Sequence, residues 1–213
     1  MKHIYKLLFI ALSVTTLSAD SSRAQKWEFL FTPLYTNSNT VEFEGGSTAD
    51  IGSRSGLGFG FGYNINEYLE LSMLFASSSS NYTAKFLDKE GEKKQFTRNM
   101  YTSSFNLAAT YNIIDGPFTP YITGKAGYTY VDSGVRTGDT DWYCNPYYYY
   151  GGCYPYSETF GGTHLNYGGS VGIRYDFENA LFLKAGIGKN WIDFDSASST
   201  DFTVYDLTIG ATF

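Results

Sequence analysis

Several features that assign a chain to a common protein class are missing from this sequence. Beyond residue 24, no run approaches the roughly 20 apolar residues that a membrane-spanning helix requires, so any membrane embedding must come from strands. Cationic side chains are in the minority, with 15 Lys and Arg against 21 Asp and Glu. The resulting net charge of −6 argues against nucleic acid as a partner. Histidine and cysteine number two each, without zinc-ligand spacing or a phosphate-cradling loop. The sequence therefore predicts no metal and no cofactor.

The residues that are abundant indicate an ordered, all-β chain. Aromatic residues make up 19% of the sequence and charged residues 17%, which is too aromatic for a disordered protein. The 23 glycines are too many for a helical protein. A length of 213 residues fits one domain or two small ones.

The N-terminal segment has the pattern of an export signal. Lys2, His3 and Lys6 form a basic start. An apolar core at 7–17 and small residues at Ser22 and Ala24 follow, as in a signal peptide cleaved before Gln25. A retained anchor is the alternative, but the apolar run is too short to span a bilayer. We therefore expect a signal peptide at 1–24 and one mature domain at 25–213.

The C-terminal stretch alternates strictly between apolar and polar residues. Tyr205, Leu207, Ile209, Ala211 and Phe213 fall on one face of a strand, with polar or small residues between them. An alternating strand that ends on Phe resembles the C-terminal assembly signal of bacterial outer-membrane β-barrels. We expect Tyr205, Leu207, Ile209 and Phe213 to form that signal and to engage the barrel assembly machinery.

Seven earlier segments show the same alternation. They are 27–35, 55–63, 69–76, 101–111, 119–131, 164–176 and 181–191. The intervening segments 36–54, 77–99 and 132–163 are long and polar, whereas those near 64, 112 and 177 are short turns. Only Lys189 places a charge on the apolar face of a strand. This pattern is typical of a transmembrane up-and-down barrel with short inner turns and longer outer loops.

Period-two alternation alone does not decide which face points inward. A soluble lipocalin-like barrel, with its apolar face inside, is the alternative. The polar faces here are mostly Gly, Ser, Thr and Asn, which suits a narrow lumen better than a water-exposed wall. Tyr and Trp also stand near the strand ends, as membrane-interface girdles do. These residues are Trp27, Tyr35, Tyr63, Tyr101, Tyr111, Tyr175, Trp191 and Tyr205.

The segment 119–128, the Gly-rich strands and the terminal Phe213 together resemble a known family. It comprises the small eight-stranded outer-membrane barrels of the OmpA-transmembrane-domain, OmpX and opacity-like (porin-family) type. The resemblance implies an eight-stranded antiparallel transmembrane β-barrel in a bacterial outer membrane, monomeric and in contact with lipids and lipopolysaccharide. No peptidoglycan-binding domain follows the barrel in this sequence, so that role is not expected.

Charged residues on the polar faces predict a polar network in the lumen. They are Glu28, Glu70, Lys125, Arg174, Asp176, Lys184 and Asp206. Mixed signs allow these groups to pair, and an eight-stranded barrel is just wide enough for side chains to fill it. The network is then a stabilising plug. The sharper alternative is a narrow, gated pore for ions or small solutes.

The third long loop is the best candidate for an external contact surface. Cys144 and Cys153 can form a disulfide in an oxidising compartment, which would close a short ring rich in aromatic residues. The candidate contact residues of this loop are Trp142, Tyr147, Tyr148, Tyr149 and Tyr150. Such tyrosines favour recognition of a host or cell-surface ligand. Inert packing against lipopolysaccharide, or of the tyrosines against each other, is the alternative.

Catalysis has little support in the sequence. His164 is the only histidine after the signal segment, and no serine neighbours it on the same strand face. Ser170 is too distant along the strand to serve as its nucleophile. We therefore expect no enzyme. The predicted role is structural, or surface interaction of an adhesion-like kind; a pore is the alternative, and a lipid-modifying enzyme ranks last.

Overall fold

The computed structural model describes residues 23–43, 46–87, 91–144, 153–194 and 200–213, without the side chains at 87, 137–144 and 153–158. These residues form ten strands. The bounds are β1 Trp27–Thr36, β2 Asn39–Glu42, β3 Thr48–Ile51, β4 Arg54–Asn64, β5 Leu69–Leu87, β6 Lys93–Asn112, β7 Phe118–Cys144, β8 Cys153–Asp176, β9 Leu181–Asp193 and β10 Thr200–Thr212. No helix long and apolar enough to cross a membrane occurs in the described ranges. The predicted signal segment 1–24 lies almost wholly outside them.

The strands close into an antiparallel ring. The order is β2-β3-β5-β4-β1-β10-β9-β8-β7-β6, and β5 also pairs with β6. β1 pairs with β10, and Trp27 and Phe213 exchange two backbone hydrogen bonds of 2.9 Å. β2 continues the line of β1, and β3 continues that of β4, so the ten segments build eight walls. The predicted eight-stranded transmembrane barrel is confirmed.

The outward face within the membrane is apolar along every wall. Leu57 is 58% exposed and Leu107 57% exposed, and the predicted assembly-signal residues Tyr205, Leu207, Ile209 and Phe213 also point outward. Alternate positions point inward, and there Glu28 on β1, Asn106 on β6 and Arg174 on β8 are buried. Because water would not favour a belt of exposed Leu, Ile and Phe around the whole ring, this face fits lipid.

Three segments predicted as long loops are largely strand instead. The predicted loop 36–54 contains β2 and β3; the loop 77–99 is mostly the extended β5–β6 hairpin; and 132–163 carries β7 to Cys144 and β8 from Cys153. The prediction was wrong because it ended each strand where the outward face ceased to be apolar. The alternation continues beyond that point with its polarity reversed.

That reversal produces a second core at the outer end of the barrel. Above the membrane the inward side chains become apolar, and the outward ones, such as Asn81 and Lys85, become polar. We call the inward group the outer apolar cluster. It comprises Val41, Ala49, Ile51, Tyr82, Met100, Ile192 and Phe202, with Phe43, Ala84, Phe96, Val131 and Phe194 packed around it. The projecting walls therefore bury their apolar side chains as a water-soluble barrel does.

Candidate functional site

The inner half of the lumen is bridged by a group of charges that we call the inner ion network. It comprises Glu28, Glu70, Arg174, Asp176 and Lys184, which come from β1, β5, β8 and β9. The Arg174 guanidinium donates to Glu28 Oε1 at 2.7 Å and to Asp176 Oδ1 at 2.7 Å from Nη2, and to Asp176 from Nε at 2.9 Å. Its side chain is fully buried. Arg174 thus ties two carboxylates together across the lumen.

Lys184 completes the network from the adjacent strand. Its Nζ donates to Glu70 Oε2 at 2.5 Å and lies 3.7 Å from Glu28 Oε2. The buried Phe182 ring packs below both cations, with its centroid 4.1 Å from Arg174 Cζ and 5.1 Å from Lys184 Nζ. Phe182 was not among the predicted lumen residues, although its place on the polar face of β9 was a visible signal. Each charge in the network has a partner, as buried ions require.

The other two predicted lumen charges lie outside this network. Lys125 and Asp206 interact electrostatically with each other, and Tyr121 hydrogen-bonds to Asp206. Hydroxyl pairs line the wall around them: Thr110 with Thr123 at 2.8 Å, and Thr32 with Thr208 at 2.8 Å. The predicted set therefore divides into one compact network of five residues and a separate Lys125–Asp206 pair.

Arg23 reaches the network from the N-terminal side. Its Nη2 lies 3.3 Å from Asp176 Oδ2, and it also donates to the carbonyl of Gly116. Arg23 belongs to the predicted cleavage motif at 22–24. Removal of residues 1–24 would delete this contact and leave Asp176 with Arg174.

A cavity of about 160 Å³ separates the inner ion network from the outer apolar cluster. Glu70 and Lys184 line its inner end, and Ile192 and Phe202 line its outer end. Arg54 lies in its wall, with its guanidinium carbon 4.7 Å from the centroid of the Phe202 ring. Sequence reasoning placed Arg54 in a loop. Extending the alternation of β4 by two residues, from Gly56, would have put it in the lumen.

Among the described residues, Lys85–Asp50 and Lys189–Asp201 are ion pairs on the outer surface. Lys85 Nζ donates to Asp50 Oδ2 at 2.6 Å, and this hydrogen bond, helped by one from Thr40, lowers the pKa of the Asp50 carboxyl. Lys189 Nζ donates to Asp201 Oδ2 at 2.5 Å, which lowers the pKa of Asp201. Lys189 pairs with Thr203, two residues further out than the Ile187–Tyr205 pair. The charge that departs from the apolar pattern therefore lies at the outer end of the lipid-facing belt.

The predicted contact loop is described only at its base. Cys144 and Cys153 are direct cross-strand partners, and Trp142 lies opposite Pro155. Directly opposed antiparallel residues have Cα atoms about 4.5–5.5 Å apart, a separation that suits a disulfide. The bond itself stays a prediction. The contact role predicted for the tyrosines also stays a prediction, because the described residues do not include Tyr147, Tyr148, Tyr149 and Tyr150.

In the part of the chain that the structure describes, no residue is placed to form a catalytic pair with His164. The His164 ring packs against Phe194 with centroids 5.0 Å apart. Ser170 is on the same face of β8, but six residues along a strand correspond to about 20 Å. Within the described ranges, no group of His, Cys, Asp and Glu is arranged to hold a metal ion.

Comparison with known proteins identifies the class and then the family. The closed ring with a lipid-facing belt defines a transmembrane β-barrel. Residues 9–213 match the family model of the outer membrane protein beta-barrel domain, and the chain belongs to this family. No curated protein matches the sequence significantly.

Solved structures of other outer-membrane barrels share the fold at low sequence identity. OprG from Pseudomonas aeruginosa is 13% identical, with a TM-score of 0.53 over 89% of this chain and 96% of its own. Ail, the attachment invasion locus protein of Yersinia pestis, is 14% identical, with a TM-score of 0.49 over 89% and 99%. Neisserial surface protein A is 15% identical, with a TM-score of 0.47 over 87% and 95%. At this identity the similarity concerns the fold alone.

Proposed function

We propose that this protein is a non-conducting, non-enzymatic outer-membrane barrel that acts through the surface it projects outward. The observation that carries the proposal is the filling of the lumen at two levels. The inner ion network joins four strands with buried, mutually paired charges. The outer apolar cluster fills the projecting end. A water-filled path would have to break both.

The projecting walls support a surface role. β5 to β8 are 19 to 27 residues long, whereas about 9–11 residues suffice to cross a bilayer. Roughly half of each such strand therefore lies beyond the membrane. A wall extended and filled with its own core is a rigid support for the loop between Cys144 and Cys153. We infer that this loop contacts a cell-surface ligand or lipopolysaccharide through Tyr147, Tyr148, Tyr149 and Tyr150, together with Trp142 at the end of β7.

Planar-bilayer recording separates the closed barrel from the pore. The purified protein, inserted singly, is expected to give no sustained conductance steps. A variant with Lys184→Ala and Glu70→Ala removes one buried pair of the network and serves as the comparison. Steady, unitary conductance from the native protein at low voltage would contradict the non-conducting barrel and would favour the narrow pore.

The surface role requires its own test. Bacteria displaying the native protein are compared with bacteria displaying a variant in which Tyr147, Tyr148, Tyr149 and Tyr150 are all replaced by Ser. We expect the native cells to aggregate and sediment faster, with equal amounts of folded barrel in both strains. Equal sedimentation would contradict a contact role for the tyrosines.

The enzyme alternative is tested at the single histidine of the barrel. A His164→Ala variant is expected to leave the lipid A of the displaying bacteria as the native protein does, measured by mass spectrometry of extracted lipid A. Loss of a lipid A modification in that variant would contradict the non-enzymatic assignment.

Export and processing belong to the same proposal. We infer that residues 1–24 are removed on export and that the mature chain begins at Gln25. Sequencing the N-terminus of protein extracted from outer membranes checks this directly. A chain that retains Arg23 would keep the Arg23–Asp176 contact instead.

A further inference from the structure

Arg54 is a buried cation whose hydrogen-bonding capacity is not used by the described protein groups. Its side chain is 7% exposed, and its Nη1 atom has no hydrogen-bond partner. Its guanidinium lies over the face of the Phe202 ring, with the guanidinium carbon 4.7 Å from the ring centroid. A guanidinium carries five N–H donors. The face of an aromatic ring attracts the positive charge but does not provide hydrogen-bond acceptors for those donors. Leaving a buried charge in this condition is costly.

The other cations of the lumen differ from Arg54 in having carboxylates. Arg174 pairs with Glu28 and Asp176, Lys184 pairs with Glu70, and Lys125 lies in the field of Asp206. Among the described residues, no ion pair and no side-chain hydrogen bond includes the guanidinium of Arg54. Arg54 lies on the wall of a cavity and has no carboxylate partner. A small anion bound in the cavity would accept the hydrogen bonds that a carboxylate accepts from the other cations.

The surroundings of Arg54 supply hydroxyl groups, and the two carboxylates that line the same cavity, Glu70 and Asp206, interact with other cations, Lys184 and Lys125. Thr36 is the direct partner of Arg54 on β1, and Ser78 and Thr102 line the same cavity. Ser80, on the same face of β5, is buried with its Oγ unpartnered. Hydroxyls can donate to an oxyanion while the guanidinium holds it by two N–H groups. On the outer side, Phe202 and Ile192 offer apolar contact.

We propose that the cavity between the inner ion network and the outer apolar cluster is a binding site for one small oxyanion held by Arg54. The ligand is an inorganic phosphate or a short-chain carboxylate, whose common chemistry is an oxygen pair that accepts from the guanidinium. A short apolar chain on a carboxylate would lie against Phe202. The site is independent of the surface role proposed above.

To test this, the full chain is refolded from urea into detergent micelles in three media of equal ionic strength, which contain phosphate, butyrate or chloride. After desalting, retained phosphate is measured by ³¹P NMR and retained ¹³C-labelled butyrate by ¹³C NMR, per folded chain. We expect about one retained anion for the native protein, because one guanidinium provides one bidentate site. Arg54→Gln is expected to retain only background. Lys189→Gln, which removes an exposed cation, is the matched control and should behave as the native protein does.

Equilibrium unfolding covers the case of rapid anion exchange. A ligand that binds the folded state raises the urea midpoint, whereas phosphate also stabilises proteins non-specifically. The proposal therefore requires a rise in the native protein that exceeds the rise in Arg54→Gln, in phosphate or in butyrate. Retention of phosphate alone identifies the ligand as inorganic, and retention of butyrate alone identifies it as organic. No retention in either medium, together with equal rises in the two proteins, would overturn the site.

If Arg54→Gln fails to fold, a second variant and a measurement on the native protein still test the site. Arg54→Lys keeps the charge but not the fork of donors, and it should retain less anion than the native protein. In the native protein labelled with ¹⁵N-arginine, one side-chain Nε resonance should shift in phosphate or butyrate relative to chloride. Unchanged arginine resonances in all three media would contradict anion binding at Arg54.

Discussion

At the scale of single residues, Arg174 organises the inner lumen. It is fully buried and touches Glu28 and Asp176 at hydrogen-bond distance. The ion network contains more carboxylates than cations, so each cation is shared. Such a network stabilises the fold only while its partners remain together, because an unpaired buried charge costs more than the pair contributes.

Replacing Arg174 by Met should destabilise the barrel strongly. The change removes the Arg174 partner of Asp176 and leaves Glu28 with only Lys184, whose Nζ lies 3.7 Å from Glu28 Oε2. Breaking a buried pair in this way costs about 3–5 kcal/mol. The free energy of unfolding is measured by urea titration in lipid vesicles. Adding Glu28→Gln to Arg174→Met should recover part of the loss. Lys85→Met is the control, since its exposed pair with Asp50 contributes little, and equal losses in the two single variants would contradict the network's role.

The pH dependence of Asp50 follows from its pair with Lys85. The Lys85 hydrogen bond lowers the pKa of Asp50 in the folded protein, so the pair stabilises the fold above the ordinary Asp pKa of about 3.9. This contribution is lost as the pH falls through the lower, folded-state pKa. Carboxyl ¹³C NMR should give a midpoint below the ordinary value, and the midpoint should rise in Lys85→Met. An unchanged midpoint in that variant would contradict the assigned cause.

At the scale of the strand, the sequence predicts which side chains share a face of the strand, but it does not predict where the strand ends. In β5, Leu71, Met73 and Phe75 face outward, and the strand was predicted to stop at residue 76. It continues to Leu87 with Tyr82 and Ala84 turned inward. The parity of positions was intact throughout. The polarity of each face reversed, because the surrounding medium changes from lipid to water, and a rule based on one apolar face does not detect that.

Two glycines of β7 provide a matched test of how closely the walls pack. A Cβ on Gly127, which faces the lumen, would clash with the backbone oxygen of Phe105, whereas one on Gly124 would meet nothing within 4 Å. Gly127→Ala should therefore sharply reduce the folded fraction, seen as the heat-modifiable band in SDS gels. Gly124→Ala should fold as the native chain does. Equal folding of the two variants would contradict the close packing of β7 against β6 at Gly127.

The β7–β8 hairpin carries the disulfide prediction. Cys144 and Cys153 are opposed in register, and export places them in an oxidising compartment. Protein from outer membranes, denatured without reductant, should have no titratable thiol and should gain two on reduction. Detection of two free thiols before reduction would mean that the hairpin register alone holds the base of the loop.

At the scale of the whole molecule, the sequence was sufficient for the number of walls, the three inner turns and the outward apolar belt. These follow from period-two alternation and the short turns near Asn64, Asn112 and Phe177. The seven predicted lumen charges also follow from parity. Their division into a network and a separate Lys125–Asp206 pair does not, because strand stagger around the ring decides which side chains meet. Arg54 and the outer apolar cluster were missed for a different reason, because both lie beyond the points at which the predicted strands ended.

The apolar side chains of the barrel face lipid within the membrane and face the interior in the walls that project beyond it. A spin-label scan along β5, with one Cys substitution at a time and the native cysteines replaced by Ser, tests both halves in one strand. Labels at 71, 73 and 75 are predicted to collide with dissolved oxygen in the bilayer, and labels at 81, 83 and 85 with a water-soluble nickel reagent. Water access at all six positions would contradict the membrane-spanning barrel. Lipid access at all six would contradict the reversal of polarity.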